Sequence, residues 1–84
     1  MYRYYFIFRS VTSAQRAIQL LRGKGIEAML SPAPGVYYEN GCSHAVQIKG
    51  TRGAYAAMEL HIANIVPMRV LRSKDGSFFE EVVI

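Results

Sequence analysis

Cys42 is the only cysteine among 84 residues, and the residue types around it are those that could make a thiol react. Asn40-Gly41, directly before it, is a strong turn signal because both residues tolerate positive φ. Ser43 follows, and His44 stands two positions on, where extended backbone would turn both side chains to one face. Upstream, Pro32 and Pro34 cannot donate to a sheet ladder and bias the residues before them towards extended backbone, so a strand entering this stretch should stop near Ser31. A thiol at such a loop-to-strand junction is open to a partner, and its reactive form is the thiolate. Backbone amides after Gly41, a protonated His44 or nearby arginines would lower its pKa. The competing reading is an ordinary loop cysteine beside a half-buried strand histidine, and one cysteine does not choose between the two.

Other chemistries find less support. Cys42, His44 and His61 do not make a metal site, since structural zinc takes four ligands and this spacing fits no known pattern. His61 lies among apolar neighbours in a helical pattern and reads as a core-edge residue. No Ser-His-Asp arrangement or carboxylate pair stands out, and Gly23-Lys24-Gly25 lacks the flanking residues of a phosphate loop, reading instead as a helix stop. The expectation is no metal, no cofactor, and a thiol carrier or binding module in preference to a turnover enzyme.

The bulk properties set the frame. A hydrophobic fraction of 51% is ample for the core of one domain over residues 1–84. One cysteine closes no internal disulfide, and the short apolar run at residues 4–8, ended by Arg9, does not make a secretory signal; a cytoplasmic home is expected. No segment is long enough to span a bilayer. The net charge of +4 is unevenly spread: the first 26 residues hold Arg3, Arg9, Arg16, Arg22 and Lys24 and no acid. That bias suits an anionic partner, or is a solvated face.

The elements that must position the cysteine follow from periodicity. Residues 2–8 are aromatic and β-branched with apolar groups on both faces, as in a central strand. A capping box from Thr12 to Gln15, with Ser10 as a rival cap, opens a helix carrying Ala14, Ala17, Ile18 and Leu21 at helical spacing. Residues 26–31 alternate as a strand with one covered face, and residues 44–49 alternate again, with His44, Val46 and Ile48 on one side. These two strands should pair antiparallel. Thr51 is the expected cap of a second helix with Tyr55, Met58, Ile62 and Ile65 as its buried stripe, helped by Ala54 and Ala57, and Pro67 bars its continuation. Residues 68–72 read as a strand, residues 74–77 as a hairpin turn, and residues 78–84 as a last strand or a tail that joins another copy.

The order is that of an α+β, ferredoxin-like βαββαβ fold: an antiparallel sheet with two helices on one face and a C-terminal strand or hairpin added. The helices would leave the other sheet face bare, and Tyr, Phe and Met there would favour a homodimer.

In the order of its features the chain resembles a small bacterial family labelled Se/S carrier protein-like. The features are Phe8 and Ser10 before the first helix, Leu20-Leu21 near its end, Gly25-Ile26, Pro32-Ala33-Pro34, then Cys42 and an apolar strand. The likeness covers roughly the first two thirds of the chain and, more loosely, the second helix. It departs at Ser43, where the family tends to have glycine, and in a C-terminal hairpin that is an addition. The resemblance implies that Cys42 carries sulfur or selenium between donor and acceptor proteins, in a loop shaped by Pro32, Pro34, Asn40, Gly41 and Ser43, with His44 tuning the thiol. The alternative is a non-catalytic dimeric regulatory or ligand-binding module. Single-stranded RNA binding on sheet aromatics ranks behind both, because residues 52–56 depart from the RRM signature and fall in a helical pattern.

Overall fold

The computed structural model describes residues 2–33 and 44–82. Among these, the chain runs β1 (Arg3–Phe8), α1 (Val11–Gly23), β2 (Met29–Pro32), β3 (His44–Lys49), a 3-10 turn (Gly50–Arg52), α2 (Gly53–Ile62), β4 (Arg69–Ser73) and β5 (Glu80–Glu81). The five strands form one antiparallel sheet in the order β2-β3-β1-β4-β5. The first four strands have the ferredoxin-like arrangement expected, β1 is central as its two apolar faces require, and β5 extends the sheet beyond β4. No helix among the described residues is long and apolar enough to cross a membrane.

Helix α1 forms as its pattern dictates, burying Ala14, Ala17, Ile18 and Leu21. Its cap is Ser10 and not Thr12: the Ser10 hydroxyl accepts the N–H of Thr12 at 3.1 Å and of Ser13 at 3.4 Å. Thr12 has already entered the helix, so its hydroxyl is past the position from which a cap works. At the other end Gly25 takes φ 78°, and the Ile26 amide donates to the Leu21 carbonyl at 2.9 Å. That closure drives Ile26 into the core.

Helix α2 departs from expectation. No side chain caps it; the 3-10 turn leads in, and Thr51 is exposed. Its buried face is Gly53, Ala56, Ala57 and Leu60, whereas Met58 and Ile62 are 52% and 70% exposed, Ala54 is exposed and Tyr55 is half-buried. The reason is how closely the start of the helix lies on the Tyr4 ring of β1. A Cβ at Gly53 would overlap the Tyr4 ring, and one at Gly50 would overlap the Tyr2 carbonyl. Only small residues fit that contact, so the bulky side chains turn outward. The helix ends before Ile65, because Asn64 takes φ 59° and the Ile65 amide closes back on the Leu60 carbonyl at 2.9 Å. Ile65 is buried as expected, though from outside the helix.

The C-terminal hairpin has a wider loop than a tight turn. Arg72 pairs with Glu80, Leu71 with Glu81, and the Val82 amide reaches the Val70 carbonyl at 2.7 Å. Two ion pairs brace this ladder, Arg72–Glu80 at 2.9 Å and Arg69–Glu81 at 3.0 Å. The loop is held by Asp75, whose Oδ1 accepts the amides of Ser77 at 2.9 Å and Phe78 at 3.1 Å. Residues 83 and 84, assigned to the last strand on sequence, lie outside the described residues.

Two outcomes follow from these contacts. Gly53→Ala should destabilise the fold by about 1–3 kcal/mol through overpacking against Tyr4. Gly23→Ala, which meets nothing within 4 Å, should be neutral or slightly stabilising. Urea denaturation of both variants measures the difference, and equal midpoints would show that the approach of α2 to β1 is not tight. The second outcome concerns acid. Bonds from the Ser77 and Phe78 amides hold the Asp75 pKa at about 2. Because that lies below the unfolded value of about 3.9, the carboxylate's stabilising contribution is complete above the unfolded pKa and lost as pH falls through the folded one. The Ser77 and Phe78 amide resonances should therefore titrate with a midpoint near 2, and Asp75→Asn should abolish that titration; a midpoint near 4 would mean the amide bonds do not hold the carboxylate.

Candidate functional site at the loop-bearing end of the sheet

Strand register fixes where the loop of residues 34–43 departs and returns. Pro32 is the last residue of edge strand β2 and pairs with His44, the first residue of β3. A proline with no N–H is tolerated there because an edge strand has an unpaired side. His44 pairs on its other side with Phe8, the last residue of β1. The predicted site residues Pro34, Asn40, Gly41, Cys42 and Ser43 lie outside the described residues. Pro32 and His44 are therefore brought together as neighbours across two strands, while the position of the thiol relative to them is left to the loop. His44 shares its face with Val46 and Ile48, as the alternation requires, and is half-buried on the side that carries the helices.

The same end of the sheet collects positive potential. Ser10 and the N-terminus of α1 follow Phe8 by two residues, and the first turn of α1 contains no acid. The aligned peptide dipoles give that terminus a partial positive charge, which favours an anion nearby. Arg9 is exposed beside it. Arg69 opens β4 opposite Ile7, with the Met68 amide bonding the Ile7 carbonyl at 2.7 Å, and its charge is shared with Glu81.

The other early bases are dispersed. Arg22 donates to the Ala28 carbonyl at 3.1 Å, and Lys24 approaches Glu59 of α2 at 3.7 Å, so both tie α1 to its neighbours. Arg3 sits at the opposite end of the sheet. The charge bias visible in the sequence thus does not form one stripe.

Two expectations about surfaces are corrected. The sheet face without helices is not bare: Tyr5, Ile7, Ala45 and Leu71 are buried there, joined by Ala33 and by Phe79, whose ring meets Tyr5 edge-on at 5.1 Å. Tyr4 and Phe6, the aromatics on which single-stranded RNA would stack, lie on the helix-covered face, and Phe6 is buried. The sheet therefore offers no open stacking platform among the described residues. His61, read as a core-edge residue, is exposed on α2 because the small face of that helix is the one buried. It borders a groove of about 550 Å³ with Met58, Val66 and Met68, and His44 is not among the residues that line it. Among the described residues no three His, Cys, Asp or Glu side chains group as metal ligands would.

A family model described as "Putative Se/S carrier protein-like" matches residues 3–71, from β1 into β4. This reaches further than the first two thirds of the chain and stops before the C-terminal loop and β5. No curated protein and no solved structure matches.

Proposed function

Because the chain belongs to the Se/S carrier-like family, we propose that Cys42 carries sulfur or selenium as a persulfide-type group between donor and acceptor proteins. The observation that carries this reading is where the loop is anchored. It leaves the sheet after Ala33 and rejoins it at His44, at the end where the α1 N-terminus and Arg9 supply positive potential. Cys42 precedes His44 by two residues, a chain length of at most about 7 Å. A thiolate and the persulfide anion it would become are both stabilised by such surroundings.

The transfer needs no oxidant. The Cys42 thiolate attacks the outer sulfur of a donor's persulfide; its new S–S bond forms as the donor's S–S bond breaks, and the donor leaves as a thiolate. An acceptor nucleophile then attacks the same outer atom, and Cys42 is released as a thiolate. An outer selenium atom follows the same course. A reducing, cytoplasmic setting suits a lone thiol of this kind. His44 tunes the thiol from two residues away, and Asn40, Gly41, Ser43, Pro32 and Pro34 shape the approach. Self-association is part of the same reading, supported by Phe78, which is 74% exposed on the hairpin at the sheet edge. The alternative of a regulatory module without thiol chemistry differs in one respect: Cys42 would be inert.

At neutral pH Cys42 should alkylate roughly threefold faster than a small free thiol, the gain in thiolate fraction being partly offset by lower nucleophilicity. Arg9→Gln and His44→Ala should each slow it. Treatment with a persulfide donor should add the mass of one sulfur atom to the wild type and none to Cys42→Ser. A thiol that alkylates at the free rate and never gains mass would leave the regulatory module as the reading. Self-association is checked separately, by light scattering of wild type and Phe78→Ser at high concentration; identical monomers in both would remove it.

A further inference from the structure

We propose that the concavity at the opposite end of the sheet from His44 binds a small phosphate-bearing anion, held by Arg3, Lys49 and Lys74. The cavity is about 560 Å³, within the range of roughly 300–1,000 Å³ typical of small-molecule sites. Register builds it. Arg3 of β1 stands opposite Lys49 of β3 on one side and Ser73 of β4 on the other, so the three share a face. Lys74 follows Ser73 into the C-terminal loop, which folds back so that Asp75 and Gly76 form a wall, with Tyr2, Tyr5 and Thr51 completing the lining. The loop keeps that shape because the Gly76 amide donates to the buried Ser73 hydroxyl at 2.9 Å and Asp75 holds the amides beyond it.

The charges in this cavity are poorly compensated. The Arg3 guanidinium bonds a neutral amide, Gln47 Oε1, at 3.4 Å, and the Lys74 ammonium stands 5.3 Å from the Tyr2 ring. Neither has a carboxylate within ion-pair distance among the described residues. Lys49 faces Glu27 at 3.6 Å, but that carboxylate is 85% exposed and the pair is correspondingly weak. Asp75 is the one acid of the lining, so three cations stand against one carboxylate there.

Three cationic residues lining one concavity raise the local concentration of anions. A phosphate group suits them better than a carboxylate does. Its oxygens can take the planar fork of Arg3 and still leave acceptors for two ammonium groups, and its second charge matches the surplus of cations. A small ligand fits better than a nucleic acid strand, because Tyr4, Tyr5 and Phe6 are packed into the two cores and only Tyr2 at this end is left to meet a base. The site is independent of the thiol chemistry, since it uses the other end of every strand.

The test is titration of the full chain with inorganic phosphate, followed by amide chemical shifts, at constant ionic strength against a sodium chloride reference. Saturable shifts are expected at Arg3, Lys49, Thr51, Lys74 and Gly76. Arg3→Gln and Lys74→Gln should each weaken binding by roughly threefold. Arg16→Gln, exposed on α1 across the sheet from this face, should leave it unchanged. Shifts that chloride reproduces, or that survive both substitutions, overturn the proposal. So does a single-stranded oligonucleotide that binds more tightly than phosphate and is not displaced by it.

Discussion

Phe6 and Ile7 are adjacent in sequence, project to opposite faces of the sheet and are each 1% exposed, so β1 has to be covered from both sides. Two helices on one face meet half of that requirement. Among the described residues, Phe79, edge-on against Tyr5, and Ala33, after β2, contribute to the rest from outside the regular elements. Leaving Tyr5, Ile7 and Leu71 in water would forgo roughly 2 kcal/mol each. The segment after β4 is therefore part of the core, even though the family likeness ends at Leu71. Its Arg72–Glu80 and Arg69–Glu81 pairs are exposed and contribute little to stability by comparison.

The two helices secure the other face by different means. Helix α1 is amphipathic, with a serine cap, and packs its aliphatic stripe on Phe8 and Val46. Helix α2 gains its place by proximity: Gly53 lets its start settle onto the Tyr4 ring, and Ala56 and Ala57 are buried beside Leu60, its one bulky anchor. Closeness of this kind costs the helix its apolar side chains, which have no room underneath. Met58 and Ile62 accordingly point to solvent.

Antiparallel pairing also divides the molecule into two ends of unlike character. Six-residue strands β1 and β3 run between them, a distance of about 17 Å. At one end lie Phe8, His44 and the start of α1; at the other, Arg3, Lys49 and Ser73. Each end is positive for a different reason. A helix terminus and Arg9 act at the first, and side-chain charges with few acid partners act at the second. The chain leaves β2 after Pro32 and enters β3 at His44 at that first end, because the two strands pair antiparallel.

Local chemistry was enough to determine several features. The alternation of Phe6, Ile7 and Phe8 marked a central strand, Gly25 marked the end of α1, and the order of periods marked a ferredoxin-like sheet with an addition. It also singled out Cys42 and the two prolines before it, because turn-forming residues around a lone thiol are visible without any coordinates. What only the tertiary structure decided was which of several locally valid options each segment took. Ser10 and Thr12 were both competent caps, and the choice depended on where β1 released the chain. The left-handed turn at Asn64 carries no signal of its own, since an asparagine in that conformation has no fixed pattern of neighbours. The stripe of Met58 and Ile62 was a valid apolar face until Tyr4 left room only for glycine and alanine beneath the helix. Arg3, Lys49 and Lys74 are far apart in the chain, and strand register alone makes them neighbours. Periodicity reports what one segment can bury; which face is in fact buried depends on the shape of the surface it meets.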